Sequence, residues 1–310
     1  MVEPRDLSDL IWVARSNRHA LGPDRYFPSV TSDVNREQAE FWDGAAASWI
    51  EAEERRDIIA APFGLAAMDA LGLGSGDSVL DIGCGTGDTT ADMAAKIGPD
   101  GTALGVDISS EMIAEAQRRH AEVVNLGFTV ADPQVDDLGG QQFTRAYSRF
   151  GVMFFADLAA AFGNIHSLLA PNGRIAFCCW QDVFANEWML LSGMAVTTVT
   201  GSLPPMPEPG APGPFTLADP DVINDLLGGA GFSDIDVSAL NLVIEAPEAE
   251  IESFVSLARR IGPVREAIEA ADDEHFTDRL LAAAREILHD KVTDGVLRLT
   301  AASHIVSARA

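Results

Sequence analysis

The sequence predicts an α/β fold, a doubly wound parallel sheet, because short apolar runs alternate with helical stretches and the connections between them are brief. A third observation orients the sheet. The apolar runs end at a polar or glycine position, at Gly83, Asp107, Asp132 and Phe150-Gly151, and in open α/β sheets ligands sit beyond the carboxyl ends of the strands.

The elements follow in order. Within residues 58–71, Ile59, Phe63, Ala66 and Ala70 recur at helical spacing, and Gly72, Gly74 and Gly76 stop the helix. Val79, Leu80 and Ile82 supply the first strand. Residues 89–97 read as a helix, 98–101 (Gly-Pro-Asp-Gly) as a turn, and 102–106 as a second strand ending at Asp107. The helix at 109–120 points Met112, Ile113 and Ala116 inward and sets Arg118, Arg119 and His120 at the negative end of its dipole. Strands at about 128–131 and 143–148, a helix at 159–169, a turn at 171–173 and a strand at 174–180 complete the alternation. Between Gly201 and Phe215 six prolines prevent helix and central strand alike, so the segment reads as an ordered loop over the sheet's edge. Beyond it come a helix at 219–231, a strand at 235–240, helices at 251–261 and 278–288, and a last strand at 302–308.

Composition excludes several functions. A chain of 310 residues, 47% hydrophobic, with a mean hydropathy of +0.09, can bury a substantial core. Lysine and arginine total 21 against 47 for aspartate and glutamate, a net charge of -26, which repels phosphate backbones and argues against a nucleic-acid partner. Cys84, Cys178 and Cys179 lie in or beside apolar runs without zinc or disulfide spacing. Residues 1–15 lack a signal-peptide core and no apolar run is long enough for a bilayer, so the expected compartment is the cytoplasm, with no membrane partner. None of the six histidines has a metal-binding spacing, and no metal is expected.

The most informative stretch is residues 79–88, Val-Leu-Asp-Ile-Gly-Cys-Gly-Thr-Gly-Asp, a strand running into a glycine loop whose missing Cβ atoms let a ligand approach the backbone. Asp107, 20 residues after Gly87, can accept both hydroxyls of a ribose, which suits a dinucleotide or an adenosyl ligand. The two separate at position 88. A G-x-G-x-x-G loop needs glycine there, and Asp88 would repel a pyrophosphate; Asp81 is better matched to a ligand bearing an ammonium group. S-adenosylmethionine carries both the ammonium and the ribose.

With these landmarks the chain resembles the class I S-adenosylmethionine-dependent methyltransferases, most closely the small-molecule group that includes the quinone-biosynthesis C-methyltransferases. The landmarks are residues 79–87, Gly105-Val106-Asp107-Ile108-Ser109, Val130-Ala131-Asp132, the run 148–155 after the fourth strand, and 169–174 before the fifth. The resemblance covers the chain from about residue 35 onward. It implies a Rossmann-like seven-stranded sheet, order 3-2-1-4-5-7-6 with the last strand antiparallel, an N-terminal helical extension or lid at 1–57, and a methyltransferase domain at 58–310 with a cap insertion at 182–215. It implies that Asp81 and the loop Gly83, Cys84, Gly85 and Gly87 hold the methionine portion, with Asp107 on the ribose, Ile108 against adenine, Asp132 on the adenine amino group and Phe150 at the methyl-donor end. Pro133 departs from the pattern by removing a backbone donor beside the adenine.

For the acceptor, Trp42 and Trp49, seven positions apart on one helix face, join Arg149, Met153 and Trp180 as candidate substrate-binding residues, and His19 is the candidate general base. The expected function is methyl transfer to an O-, N- or C-atom of a small metabolite, by a monomer or homodimer. The rivals are a noncatalytic S-adenosylmethionine-binding protein, suggested by the absence of an obvious base, and an NAD(P)-dependent oxidoreductase, which Asp88 disfavours. An amino-directed nucleic-acid methyltransferase would show Asn/Asp-Pro-Pro-aromatic where this chain has Ser148-Arg149-Phe150-Gly151.

Overall fold

A computed structural model describes residues 33–204, 211–271 and 273–310. Two helices come first, α1 (Asp33–Glu51) and α2 (Glu53–Leu71). The alternating core follows: β1 (Ser78–Ile82), α3 (Asp88–Ile97), β2 (Thr102–Asp107), α4 (Ser110–Arg119), β3 (Leu126–Val130), β4 (Phe143–Arg149), α5 (Leu158–Leu168) and β5 (Leu169–Trp180). Then come α6 (Glu187–Thr200), α7 (Pro220–Gly229), β6 (Ser233–Pro247), α8 (Ile251–Arg260), α9 (Pro263–Ala271), α10 (Glu274–His289), β7 (Val292–Thr293) and β8 (Val296–Arg309).

The sheet order is β3-β2-β1-β4-β5-β8-β6, with β1 to β5 parallel and β8 antiparallel to both its neighbours. The order expected from the resemblance is therefore present, with one addition. The two-residue β7 pairs with the start of β8 through Asp294 (φ 54°) and Gly295 (φ 74°), two left-handed residues that close a tight hairpin and make the sheet eight-stranded.

Three boundaries differ for identifiable reasons. β5 begins at Leu169 rather than 174, because Pro171-Asn172-Gly173 is absorbed as an irregularity in which Asn172 takes φ 63° and the register with β4 shifts. β6 and β8 extend well past 235–240 and 302–308 because each supplies the other's partner groups over their whole length. α9 escaped the sequence reading, as a nine-residue helix that opens with Pro263 directly after Gly262.

The main core lies between the sheet and α2, α3, α5 and α7. A second helical layer has its own apolar core: Leu191, Ile251, Val255 and Leu288 pack together, and Val196, Val264 and Leu280 continue it, joining α6 to α8, α9 and α10. None of the described helices is long and apolar enough to cross a membrane.

Tyr147 ties α2 to the sheet. It is fully buried on β4 and its hydroxyl donates to the Gly64 carbonyl at 2.9 Å. Replacing it with phenylalanine removes one neutral hydrogen bond, a loss of about 1 kcal/mol. The expected fall in melting temperature is about 2 °C, read by differential scanning calorimetry.

Candidate functional site

The site forms where the strand order reverses, between β1 and β4. After β1, the chain turns through Gly83 (φ 69°), Gly85 (φ 55°) and Gly87 (φ 86°). Gly83 and Cys84 donate their N–H groups to the Val106 carbonyl at 2.9 and 3.0 Å, anchoring the loop to the end of β2. After β4, Gly151 meets the same loop so closely that a Cβ on Gly83 would come within 3.0 Å of its Cα. A Cβ on Gly85 would meet no atom within 4 Å, so the crest of the loop opens onto free space.

Asp81, at 1 % exposure, ends its reach against the Thr90 hydroxyl of α3, which donates at 2.6 Å. Burial pushes its carboxyl up to about 7, against the opposing pull of Thr90 and of the Arg149 charge. Asp107 accepts the Gly85 N–H on one oxygen and the Ser109 N–H on the other, both at 2.9 Å. Burial raises its carboxyl as well, with these backbone donors and that of Ile108 acting in the other direction. Asp132 accepts from the Gln134 N–H at 3.0 Å and from the Asn35 side-chain amide, and burial again raises the acid above its ordinary range.

Asn35 belongs to α1, which lies across this edge. Asp43 on the same helix accepts from the Ser109 hydroxyl at 2.7 Å and the Glu111 N–H at 3.3 Å, a carboxylate at the N-terminus of α4. Glu53, at the start of α2, accepts from the Thr86 hydroxyl and pairs with Arg119 at 2.5 Å, and Arg119 reaches Asp88 at 3.2 Å. Asp88 also lies 3.0 Å from the His120 ring.

At the β4–β5 end, Phe150 (φ 60°) stacks on Trp180 with ring centroids 3.8 Å apart and an angle of 12°. Phe63 meets Trp180 edge-on at 5.5 Å, and Trp188 of α6 follows at 5.4 Å. Met153 lies beneath, its sulfur 3.4 Å from the Trp180 backbone nitrogen. Trp42 and Trp49 do share a face of α1, with centroids 5.1 Å apart, and Trp42 reaches Phe154 at 5.0 Å. Arg149 pairs with Asp57 at 3.1 Å.

The predicted positions Asp81, Gly83, Cys84, Gly85, Gly87, Asp107, Ile108, Asp132 and Phe150 thus line one sheet edge, flanked by Trp42, Trp49, Arg149, Met153 and Trp180. His19 lies outside the described residues. Cys84 sits under the loop, with its thiol raised well above the usual range by burial and by Asp107 and Asp81, which leaves it a packing group rather than a nucleophile.

Residues 79–173 match the protein-family model described as "Methyltransferase domain". Over these residues the chain is similar to a methyltransferase domain. The chain is similar to two curated proteins, the aklanonic acid methyltransferase DauC of Streptomyces sp. (strain C5), 32% identical over 37% of this chain and 54% of that protein, and the nocamycin O-methyltransferase of Saccharothrix syringae, 26% identical over 69% and 78%. The match to the first of these spans about half of its length. Among solved structures, Haemonchus contortus phosphoethanolamine N-methyltransferase 2 in complex with S-adenosyl-L-methionine shares the fold, with a TM-score of 0.53, 17% identity and coverage of 91% of this chain and 61% of that one. YcgJ of Bacillus subtilis does so at 0.50, with 16% identity over 80% and 97%.

Several residues of the crevice escaped the sequence reading. Asn35 and Asp43 reach partners 97 and 66 positions away, pairings no local pattern encodes. Arg56 is another. Its guanidinium lies over the Trp49 ring at 4.1 Å, its Nε is buried with no hydrogen-bond partner among the described residues, and burial and the Arg149 charge pull it down to about 10.

Proposed function

We propose that the chain binds S-adenosylmethionine and transfers its methyl group to a small organic acceptor. The observation that carries this reading is a buried carboxylate, Asp81, whose raised pKa calls for a cation, set beside a glycine crest with free space above it. Asp107 and Asp132 stand on the same edge to take the ribose hydroxyls and the adenine amino group. Because one Asp132 oxygen already holds the Asn35 amide, adenine shares or displaces that contact. Arg56, with an unpaired buried Nε and a depressed pKa, gains from an anion and suits the cofactor's carboxylate.

When bound, S-adenosylmethionine supplies a methyl group already activated by its sulfonium. What remains for the protein is placement and the exclusion of water. In this reading α1 and residues 182–215, together with α8 to α10, form the lid and cap. The Phe150–Trp180 stack, Met153, Trp42 and Trp49 give the acceptor a flat apolar wall, with Arg149 at its border. Relatives named for aklanonic acid and for O-methylation of nocamycin favour a small organic acceptor, with oxygen the atom to test first.

Calorimetric titration with S-adenosylhomocysteine and with NADH, followed by turnover against phenolic, carboxylic and amine acceptors, tests the proposal. We expect 1:1 binding of S-adenosylhomocysteine, none of NADH, and accumulation of S-adenosylhomocysteine from S-adenosylmethionine with one acceptor class. Binding of NADH alone would establish an oxidoreductase. Binding of S-adenosylhomocysteine with no turnover would leave a noncatalytic binder.

A further inference from the structure

A second cavity lies away from the glycine crest. α1 and the helices α8, α9 and α10 enclose a cleft of about 680 Å³, within the range of small-molecule sites. Four guanidinium groups line it, Arg259, Arg260, Arg265 and Arg285, in a chain with only 21 cationic side chains and a net charge of -26. Between them Val255, Ile268 and Leu281 supply an apolar floor.

Three of the arginines have carboxylate partners: Arg260 with Glu51, Arg265 with Glu269 and Arg285 with Glu252. In each pair the arginine is the less exposed member, 24–40% against 60–65% for the glutamate. The three glutamates line the same cleft, and such exposed pairs are weak enough to exchange for a better anion. Arg259 has no carboxylate partner among the described residues. Arginine's planar fork matches a carboxylate or phosphate bidentately, and a ligand with an apolar body would cover the floor at the same time.

We propose that this cleft binds a small organic anion, a carboxylate carried on an apolar skeleton, through Arg259 and Arg285 with Arg260 and Arg265 beside them. Its ligand is either the anionic end of the methyl acceptor or a separate effector. The cleft borders on the crevice through α1, since Ser48 and Glu51 line it while Trp49 of the same helix stacks with Arg56. The same helix α8 also walls, with Phe254 and Leu257, a small cavity of about 30 Å³ that Trp188 lines, and Trp188 meets Trp180 edge-on at 5.4 Å.

The test is calorimetric titration of the full chain with 1-naphthoate and with its neutral counterpart 1-naphthamide. The comparison proteins are wild type, Arg259→Gln/Arg285→Gln and Arg265→Gln, each first checked for an unchanged melting profile and unchanged S-adenosylhomocysteine affinity. We expect naphthoate to bind, naphthamide not to, and the double variant to lose about tenfold or more in affinity, as two charge-assisted contacts imply. Raising the salt should weaken naphthoate in wild type and much less in the double variant. Absent naphthoate binding, equal binding of the amide, or equal affinity in the double variant overturns the proposal. If carboxylate acceptors show a raised KM and unchanged kcat in the double variant, the ligand is the acceptor. If naphthoate alters S-adenosylhomocysteine affinity without being methylated, it is an effector. Failure of S-adenosylhomocysteine to bind at all would remove the proposed function and leave the naphthoate result standing.

Discussion

Asp81→Asn weakens S-adenosylhomocysteine binding by about a hundredfold, equivalent to roughly 2.7 kcal/mol, and abolishes the acid limb of its pH dependence. The carboxyl is 1 % exposed and titrates near 7, because burial disfavours its charge and only the Thr90 hydroxyl and the Arg149 field offset that cost. Below that pH the free protein carries Asp81 protonated, and an incoming ammonium group must displace the proton. Affinity in wild type therefore rises about tenfold per pH unit up to roughly pH 7, then declines at the more alkaline pH where the ligand's own α-ammonium group loses its proton. Asparagine carries no proton to lose, so in the variant the acid limb is flat. Calorimetry in buffers of different ionisation enthalpy should show one proton released on binding to wild type at pH 6 and none to Asp81→Asn.

The same group gives an opposite sign for stability of the unliganded protein. A carboxyl whose folded pKa of about 7 exceeds an unfolded value of about 3.9 contributes stability that is complete below 3.9 and is lost as pH rises through 7. At pH 8 the folded chain holds a buried carboxylate without its cation. Asp81→Asn should then leave the unliganded protein as stable as wild type or more so by urea titration, while its affinity collapses. A merely structural Asp81 would move both in the same direction.

The reach of sequence reasoning here follows the range of the interactions. The glycine loop, Asp81, Asp107 and Asp132 were legible because each is a local event at or beside a strand end, where a short apolar run stops and a polar or glycine residue follows. Parallel pairing then brings these ends together without further information. An N-terminal lid was expected from the resemblance, but the contacts of α1 were not legible, since Asn35 meets Asp132 and Asp43 meets Ser109 through tertiary packing alone. The association of α6 with α8 to α10 was not legible either, because those helices follow β6 in sequence and meet α6 through tertiary apolar contacts such as Leu191 with Val255. Arg149 illustrates a different limit. Its position after β4 was informative, but its Asp57 partner, on another helix, was not readable from either neighbourhood.

Gly87→Ala should destabilise the protein by about 3 kcal/mol, combining roughly 1–2 kcal/mol for a Cβ in the left-handed region with 1–3 kcal/mol for overpacking. Gly87 caps α3 at φ 86° and ψ 0°, and a Cβ there would come within 2.4 Å of the Phe128 ring and 3.1 Å of the Ala116 methyl. A Cβ on Gly105 would likewise come within 2.6 Å of this ring, so the ring fills the space that the two glycines leave. The two costs separate by a double-mutant cycle. Phe128→Leu removes the clash and leaves the dihedral strain, so Gly87→Ala should cost about 1–2 kcal/mol in the Phe128→Leu background, a coupling of about 1 kcal/mol or more by urea titration. Gly85→Ala is the counterpart, since its φ of 55° carries strain while its Cβ meets nothing within 4 Å. That variant should lose only the strain energy, show no coupling to Phe128→Leu, and nonetheless weaken S-adenosylhomocysteine, because the methyl group projects into the free space over the crest. Stability loss without affinity loss at Gly85 would mean that the space above the loop is not where the cofactor lies.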